Sequence, residues 1–137
     1  MSSPIPVREA DVPILRIDVP IIPPGVNHYV KHTRSGRHYM SDEARKFKED
    51  MAVLIGRRHV VGKHFQVHAT FYLGEKHKGD VDGFAKCLLD ALAESGVFRT
   101  MKKGFPREVS DAHVIDLLLR KRRDPANPRT EIEIRAI

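Results

Sequence analysis

The chain has a single cysteine, Cys87, which excludes both a disulfide framework and a zinc site built on several cysteines. One thiol among apolar neighbours fits a reducing compartment and marks Cys87 as a helix packing residue. No run of about 18 apolar residues occurs, so no membrane-spanning helix is expected. The opening MSSPIPVREADVP lacks the apolar segment of a secretion signal. Repeats and low-complexity tracts are absent as well. Together these absences predict a cytoplasmic protein with no membrane partner. Acidic residues are also in short supply: 18 Asp and Glu against 24 Lys and Arg leave a formal charge of +6. That excess favours a polyanionic partner, with nucleic acid the leading candidate. At 137 residues the chain has room for one core and not comfortably for two.

What is present is organised around KHKGDVDGFAKCLLDALAESGVF, residues 76–98. Val81, Phe84, Ala85, Leu88, Leu89 and Leu92 recur at three- and four-residue spacing, which predicts a helix with one buried face, stopped by Gly96. Asp80 falls at the expected N-cap, Asp82 in the first turn, and Lys86 one turn after Asp82. Taken alone, the triplet favours a bland reading: Asp80 caps, Asp82 complements the dipole and Lys86 makes a surface pair, each worth about 1 kcal/mol or less.

Residues 1–12 contain prolines and no periodicity, and read as a loose leader to one domain at 13–137. ILRIDV, 14–19, alternates as a strand, and Pro20, Pro23 and Pro24 put the next residues at an edge or an exit from the sheet. VNHYVKHTRSGRHYMS then reads as a hairpin with a basic tip around 33–36. Its Asn27, Tyr29, Lys31, Arg34 and Arg37 are candidate DNA contacts, suited to phosphates and base stacking; a merely solvated hairpin is the plainer alternative. Ser41, Asp42 and Glu43 start a helix whose stripe of Ala44, Phe47, Met51, Leu54 and Ile55 packs inward. FQVHATFYL, 65–73, alternates strictly and is the clearest strand. Its exit carries Lys76 and Lys78, two further candidate DNA contacts, and leads straight to Asp80. The carboxylates therefore stand where a strand end meets a helix start.

After the helix, RTMKKGFPREVS reads as a surface loop in which Lys102 and Lys103 either contact DNA or belong to a tolerated insertion. DAHVIDLLLRK, 111–121, reads as an apolar strand with Asp111 at its entrance, and TEIEIRAI closes the chain as a last strand. The order strand, hairpin, helix, strand, helix, strand, strand predicts an α+β fold. It is a single compact domain with a mixed, mostly antiparallel sheet covered by two main helices.

If Asp111 folds back beside Asp80 and Asp82, three carboxylates share one place, where like charges must protonate or bind a cation. Hard oxygens without cysteine suit Mg²⁺, with Mn²⁺ as a substitute. An acidic metal pocket in a basic protein fits work on phosphodiesters, with Lys86 set to stabilise developing charge or position water. The residues leave a plainer alternative open, in which Asp111 is a strand-end turn residue.

PIIPPGVNHYVKH, GDVDGFAK, LLDALAESGVF and SDAHVIDLLLRK, in that order from about Val19 to the end, resemble the successive motifs of the RusA-type Holliday junction resolvases. The most specific element is Asp-x-Asp followed by Lys four residues later, then Asp-Ala-Leu and a helix exit of glycine and an aromatic. The resemblance implies a Mg²⁺-dependent endodeoxyribonuclease, bacterial or phage-encoded, that resolves four-way or branched DNA in recombination and repair. It implies a homodimer that places paired symmetric nicks, with Asp80, Asp82 and Asp111 as metal ligands and catalytic residues and Lys86 assisting. Gly83 stands where this family often has Asn, and Ser110 where it usually has an acid. A junction-binding protein with weakened catalysis is therefore the alternative reading, and a general flap or fork nuclease a third.

Overall fold

Strict alternation buries every second side chain only if the strand lies on a sheet with one covered face, and residues 65–73 do so without exception. The computed structural model describes residues 14–25, 30–32, 38–77 and 79–137, with the backbone alone at 30–32, 38 and 39. The leader at 1–12 and the predicted DNA contacts Asn27, Tyr29, Arg34, Arg37 and Lys78 lie outside the described residues. In chain order, β1 (Ile14–Val19), β2 (Val30–His32) and β3 (His38–Met40) precede α1 (Asp42–Ile55). Next come β4 (Val60–Val61), β5 (Phe65–Leu73), α2 (Ala85–Glu94), β6 (Phe98–Lys102), β7 (Phe105–Glu108), β8 (Val114–Arg123) and β9 (Arg129–Ala136).

The main sheet has the order β1-β9-β5-β8, with β5 and β8 parallel and the other pairs antiparallel. This is the α+β domain with a mixed sheet that the sequence predicts. Phe65, Val67, Ala69, Phe71 and Leu73 of β5 meet Ile17, Val19, Ile132 and Ile134 on the covered face. Over them lie Phe47, Met51 and Ile55 of α1 and Leu88, Ala91 and Leu92 of α2. Each such large side chain stabilises the fold by about 1.5–3 kcal/mol when fully buried. At α1 the predicted start is made by Ser41, whose Oγ accepts from the Ala44 amide at 3.1 Å. Cys87 sits in the same core, and burial pushes its thiol up to about 12. It packs and does not react.

Two expectations are corrected. Residues 99–109 are not a loop: β6 and β7 form an antiparallel hairpin, and β6 adds to β4 in parallel. Lys103 and Gly104 both have positive φ, 53° and 85°, the two-residue reversal that matches the twist of paired strands. Every residue of β7 is exposed, so no alternation of burial marked it as a strand. The second correction concerns Asp111, which lies in a 3₁₀ turn, Asp111–His113, ahead of β8. Ser110 caps that turn, its Oγ accepting from the Ala112 amide at 3.2 Å. β8 itself is an edge strand whose Ile115, Leu117 and Leu118 are exposed rather than buried. No helix among the described residues is long and apolar enough to cross a membrane.

Candidate active site

The connection from β5 to α2 is held in place before any acidic residue is reached. The Gly74 amide donates to His77 Nδ1 at 2.9 Å, and the His77 amide returns to the Gly74 carbonyl at 3.2 Å. From β8, Arg123 Nη1 donates to the Gly74 carbonyl at 3.1 Å and Lys121 Nζ to the Gly79 carbonyl at 3.1 Å. Gly79 has φ +133°, and a Cβ there would stand 3.3 Å from Phe84 Cζ. Phe84 is fixed against Phe71, ring centroids 5.0 Å apart, so the chain passes over it only as glycine. Asp80 follows at a set position and direction.

The helix predicted as one piece begins as a 3₁₀ turn, Val81–Phe84, and becomes α2 at Ala85. Gly83, a weak helix former, lies inside the turn, and its amide donates to the Asp80 carbonyl at 3.0 Å. Asp80 occupies the N-cap position in extended backbone, yet its side chain makes no capping bond. The predicted pairing of Lys86 one turn after Asp82 is not made either. Lys86 Nζ lies 3.5 Å from Asp90 Oδ2, because Lys86 and Asp90 share the regular winding of α2 whereas Asp82 belongs to the tighter turn. The bland account of the triplet thus loses its cap, and its surface pair goes to a different carboxylate. Asp80 and Asp82 are both exposed, and among the described residues neither carboxylate has a hydrogen-bond or ion-pair partner.

Asp111 is elsewhere. β5 and β8 are parallel, so α2 is a crossover that returns the chain to the start of the sheet, while Lys121 near the end of β8 touches Gly79. From Val114 to Lys121 the strand covers roughly 23 Å at about 3.3 Å per residue, and Asp111 precedes Val114. Among the described residues no three His, Cys, Asp or Glu side chains gather closely enough to hold a metal ion. The expected meeting of Asp111 with Asp80 and Asp82 does not occur within one chain.

The other predicted residues divide between these two ends. Lys76 is exposed in the connection that leads to Asp80. Lys102 and Lys103 are exposed at the end of β6 and the tip of its hairpin; the Val109 amide bonds to the Phe98 carbonyl at 2.9 Å, which ties that hairpin to the Asp111 end. Lys31 lies in β2, described by its backbone alone. Asp116, within β8, accepts from Gln66 Nε2 at 2.6 Å. Sequence reasoning missed Lys121 and Arg123 as positioning residues. The signal was the run Arg120–Arg123 on an alternating strand, which sends Lys121 and Arg123 to one side together.

In chemical terms, one end of the sheet presents two hard-oxygen donors that the described residues leave uncommitted, with the Lys121 ammonium on the carbonyl of Gly79 just before them and Lys76 exposed earlier in the same connection. Such donors are of the kind that Mg²⁺ or Mn²⁺ takes, one or two carboxylates with waters and substrate oxygens completing the coordination. A family model described as endodeoxyribonuclease RusA matches residues 20–135. No curated protein matches the chain.

Proposed function

Because the chain belongs to the RusA endodeoxyribonuclease family, we propose that it is a Mg²⁺-dependent Holliday junction resolvase, cutting four-way DNA as a homodimer. The setting is the bacterial cytoplasm, in host recombination and repair or in the processing of a phage genome. The observation that carries this reading is the pair of exposed carboxylates, Asp80 and Asp82, without a protein partner among the described residues. An acidic pair left unneutralised in a chain of formal charge +6 suits a cation and a polyanion together.

Asp80 and Asp82 would hold the ion, which when bound would supply positive charge against the cleaved phosphodiester and a more acidic water for the attack. Lys121 and Lys76 supply positive charge to the backbone on either side, and Lys86, one turn along α2, stabilises developing charge. Lys102, Lys103 and the hairpin residues Asn27, Tyr29, Lys31, Arg34 and Arg37, with Lys78, grip the arms.

Asp111 joins the set from a second copy. The outer edge of β8 pairs with no strand among the described residues, and Ile115, Leu117 and Leu118 on it are exposed. Two β8 edges paired antiparallel about Leu117 bring the start of one strand, with Asp111, to the end of the other, beside the partner's Lys121 and the partner's Gly79. A two-fold axis relates both sites and matches two opposed cuts in a four-way junction.

The test is a mobile four-way junction incubated with wild-type protein and with Asp82→Asn, with and without metal. Wild type should nick opposed strands with Mg²⁺ or Mn²⁺ and not in EDTA. Asp82→Asn should bind the junction in EDTA as wild type does and cut nothing. Unchanged cutting by Asp82→Asn would remove the site assignment, and binding by wild type with no product in either metal would leave a junction-binding protein.

A further inference from the structure

β5 ends at Leu73, and the next amide, that of buried Gly74, takes as its acceptor Nδ1 of the His77 ring at 2.9 Å. The His77 amide returns to the Gly74 carbonyl at 3.2 Å, so residues 74–77 close on themselves. A Cβ on Gly74 would stand 3.2 Å from both His77 Nδ1 and Pro128 Cγ, so the ring and the proline lie close over that backbone. Charge around the ring is balanced. Glu75 and Lys76 share its turn, Glu43, Lys46 and Asp50 of α1 line the same cavity, and Arg123 of β8 reaches the Gly74 carbonyl at 3.1 Å. Asp124, in the turn before β9, is taken up by Arg129 at 2.7 Å.

A neutral imidazole that accepts at Nδ1 carries its proton on Nε2, and a protonated one has two donors and no acceptor. Proton uptake by His77 therefore leaves a buried amide unpaired. We propose that His77 is a positioning residue for the carboxylate pair, and that its protonation opens the 74–77 turn and turns cutting down in mild acid. The inference rests on the endonuclease reading above. Asp80 follows His77 closely in the same connection, whereas Asp82 belongs to the 3₁₀ turn at the head of α2. An opened turn displaces the first carboxylate relative to the second, and misplacement of about 1 Å is enough to slow chemistry strongly. The bonds from Lys121 and Arg123 end on carbonyls and survive the change, so His77 is the member of this tie that a proton switches.

The first measurement needs neither metal nor DNA. In isotope-labelled full-length protein in EDTA, a nuclear coupling across the hydrogen bond should join the Gly74 amide nitrogen to His77 Nδ1 at neutral pH. On acidification it should vanish as the ring protonates, and exchange of the Gly74 amide should rise about tenfold or more. Junction cutting with Mg²⁺ is then compared in wild type, His77→Asn and His77→Leu. Asparagine places an oxygen acceptor where Nδ1 stands and does not titrate, so that variant should match wild type at neutral pH and exceed it several-fold in mild acid. His77→Leu offers no acceptor and should cut about tenfold more slowly at neutral pH, with junction binding retained. A Gly74 amide uncoupled to the ring, or a His77→Asn profile that follows wild type into acid, would overturn the inference alone. So would wild-type cutting by folded His77→Leu. Wild-type protein that cuts no junction at any pH would overturn the endonuclease reading, and the positioning role with it, even with the coupling in place.

Discussion

Lys121 donates its ammonium to the Gly79 carbonyl across 3.1 Å, and that bond marks the end of β8 that the parallel pairing with β5 brings to the acidic pair. The beginning of the same strand, with Asp111, is thereby set at the far side of the sheet. A single chain holds two carboxylates at one end and the third at the other, and the two-fold pairing of β8 edges proposed above would exchange the ends between copies.

Replacing Lys121 by Met keeps the length of the side chain and removes its bond to the loop. The residue is exposed, so unfolding free energy should change by no more than about 1.5 kcal/mol. Junction cutting should fall roughly ten- to a hundredfold, because Asp80 loses its external tie and shifts relative to Asp82. Denaturant melts and single-turnover cutting measure the two effects separately.

Gly79→Ala is expected to act on both stability and activity. The φ of +133° is strained for any side chain, and the new methyl meets the Phe84 ring at 3.3 Å. A loss of about 1–3 kcal/mol should appear in thermal or denaturant unfolding, with reduced cutting at temperatures where the fold persists. An unchanged melting curve would mean that the connection adopts another path in solution.

Ile115 is 62 % exposed on the outer strand. Ile115→Glu therefore leaves the monomer folded but puts an unpaired carboxylate into the apolar strip that a paired β8 edge would cover. Light scattering should show the species halve in mass, and cutting should disappear with it. A variant that remains dimeric and active would remove β8 from the interface.

Much of the scaffold was legible because local periodicity reports burial. β5 alternates without a fault, and α1 shows both its apolar stripe and the Ser41 start. The β6–β7 hairpin was hidden by its exposure, since a strand with no covered face carries no alternation. The acidic pair was legible as a motif, but its surroundings were not. Gly83 tightens the turn after Asp80, and that geometry diverts Lys86 to Asp90. The place of Asp111 was lost for a topological reason. Nothing in the residues of β8 states whether it runs with or against β5, and parallel pairing carries Asp111 a full strand length from the site.

The measurement that bears most directly on the shared site uses two inactive variants, Asp82→Asn and Asp111→Asn, co-expressed so that mixed dimers form. Pairing in trans gives each mixed dimer one site with all three aspartates and one with neither Asp82 nor Asp111. The account predicts that either variant alone is inert while the mixture nicks one strand of the junction. A mixture as inactive as its parents, with mixed dimers demonstrably present, would contradict it.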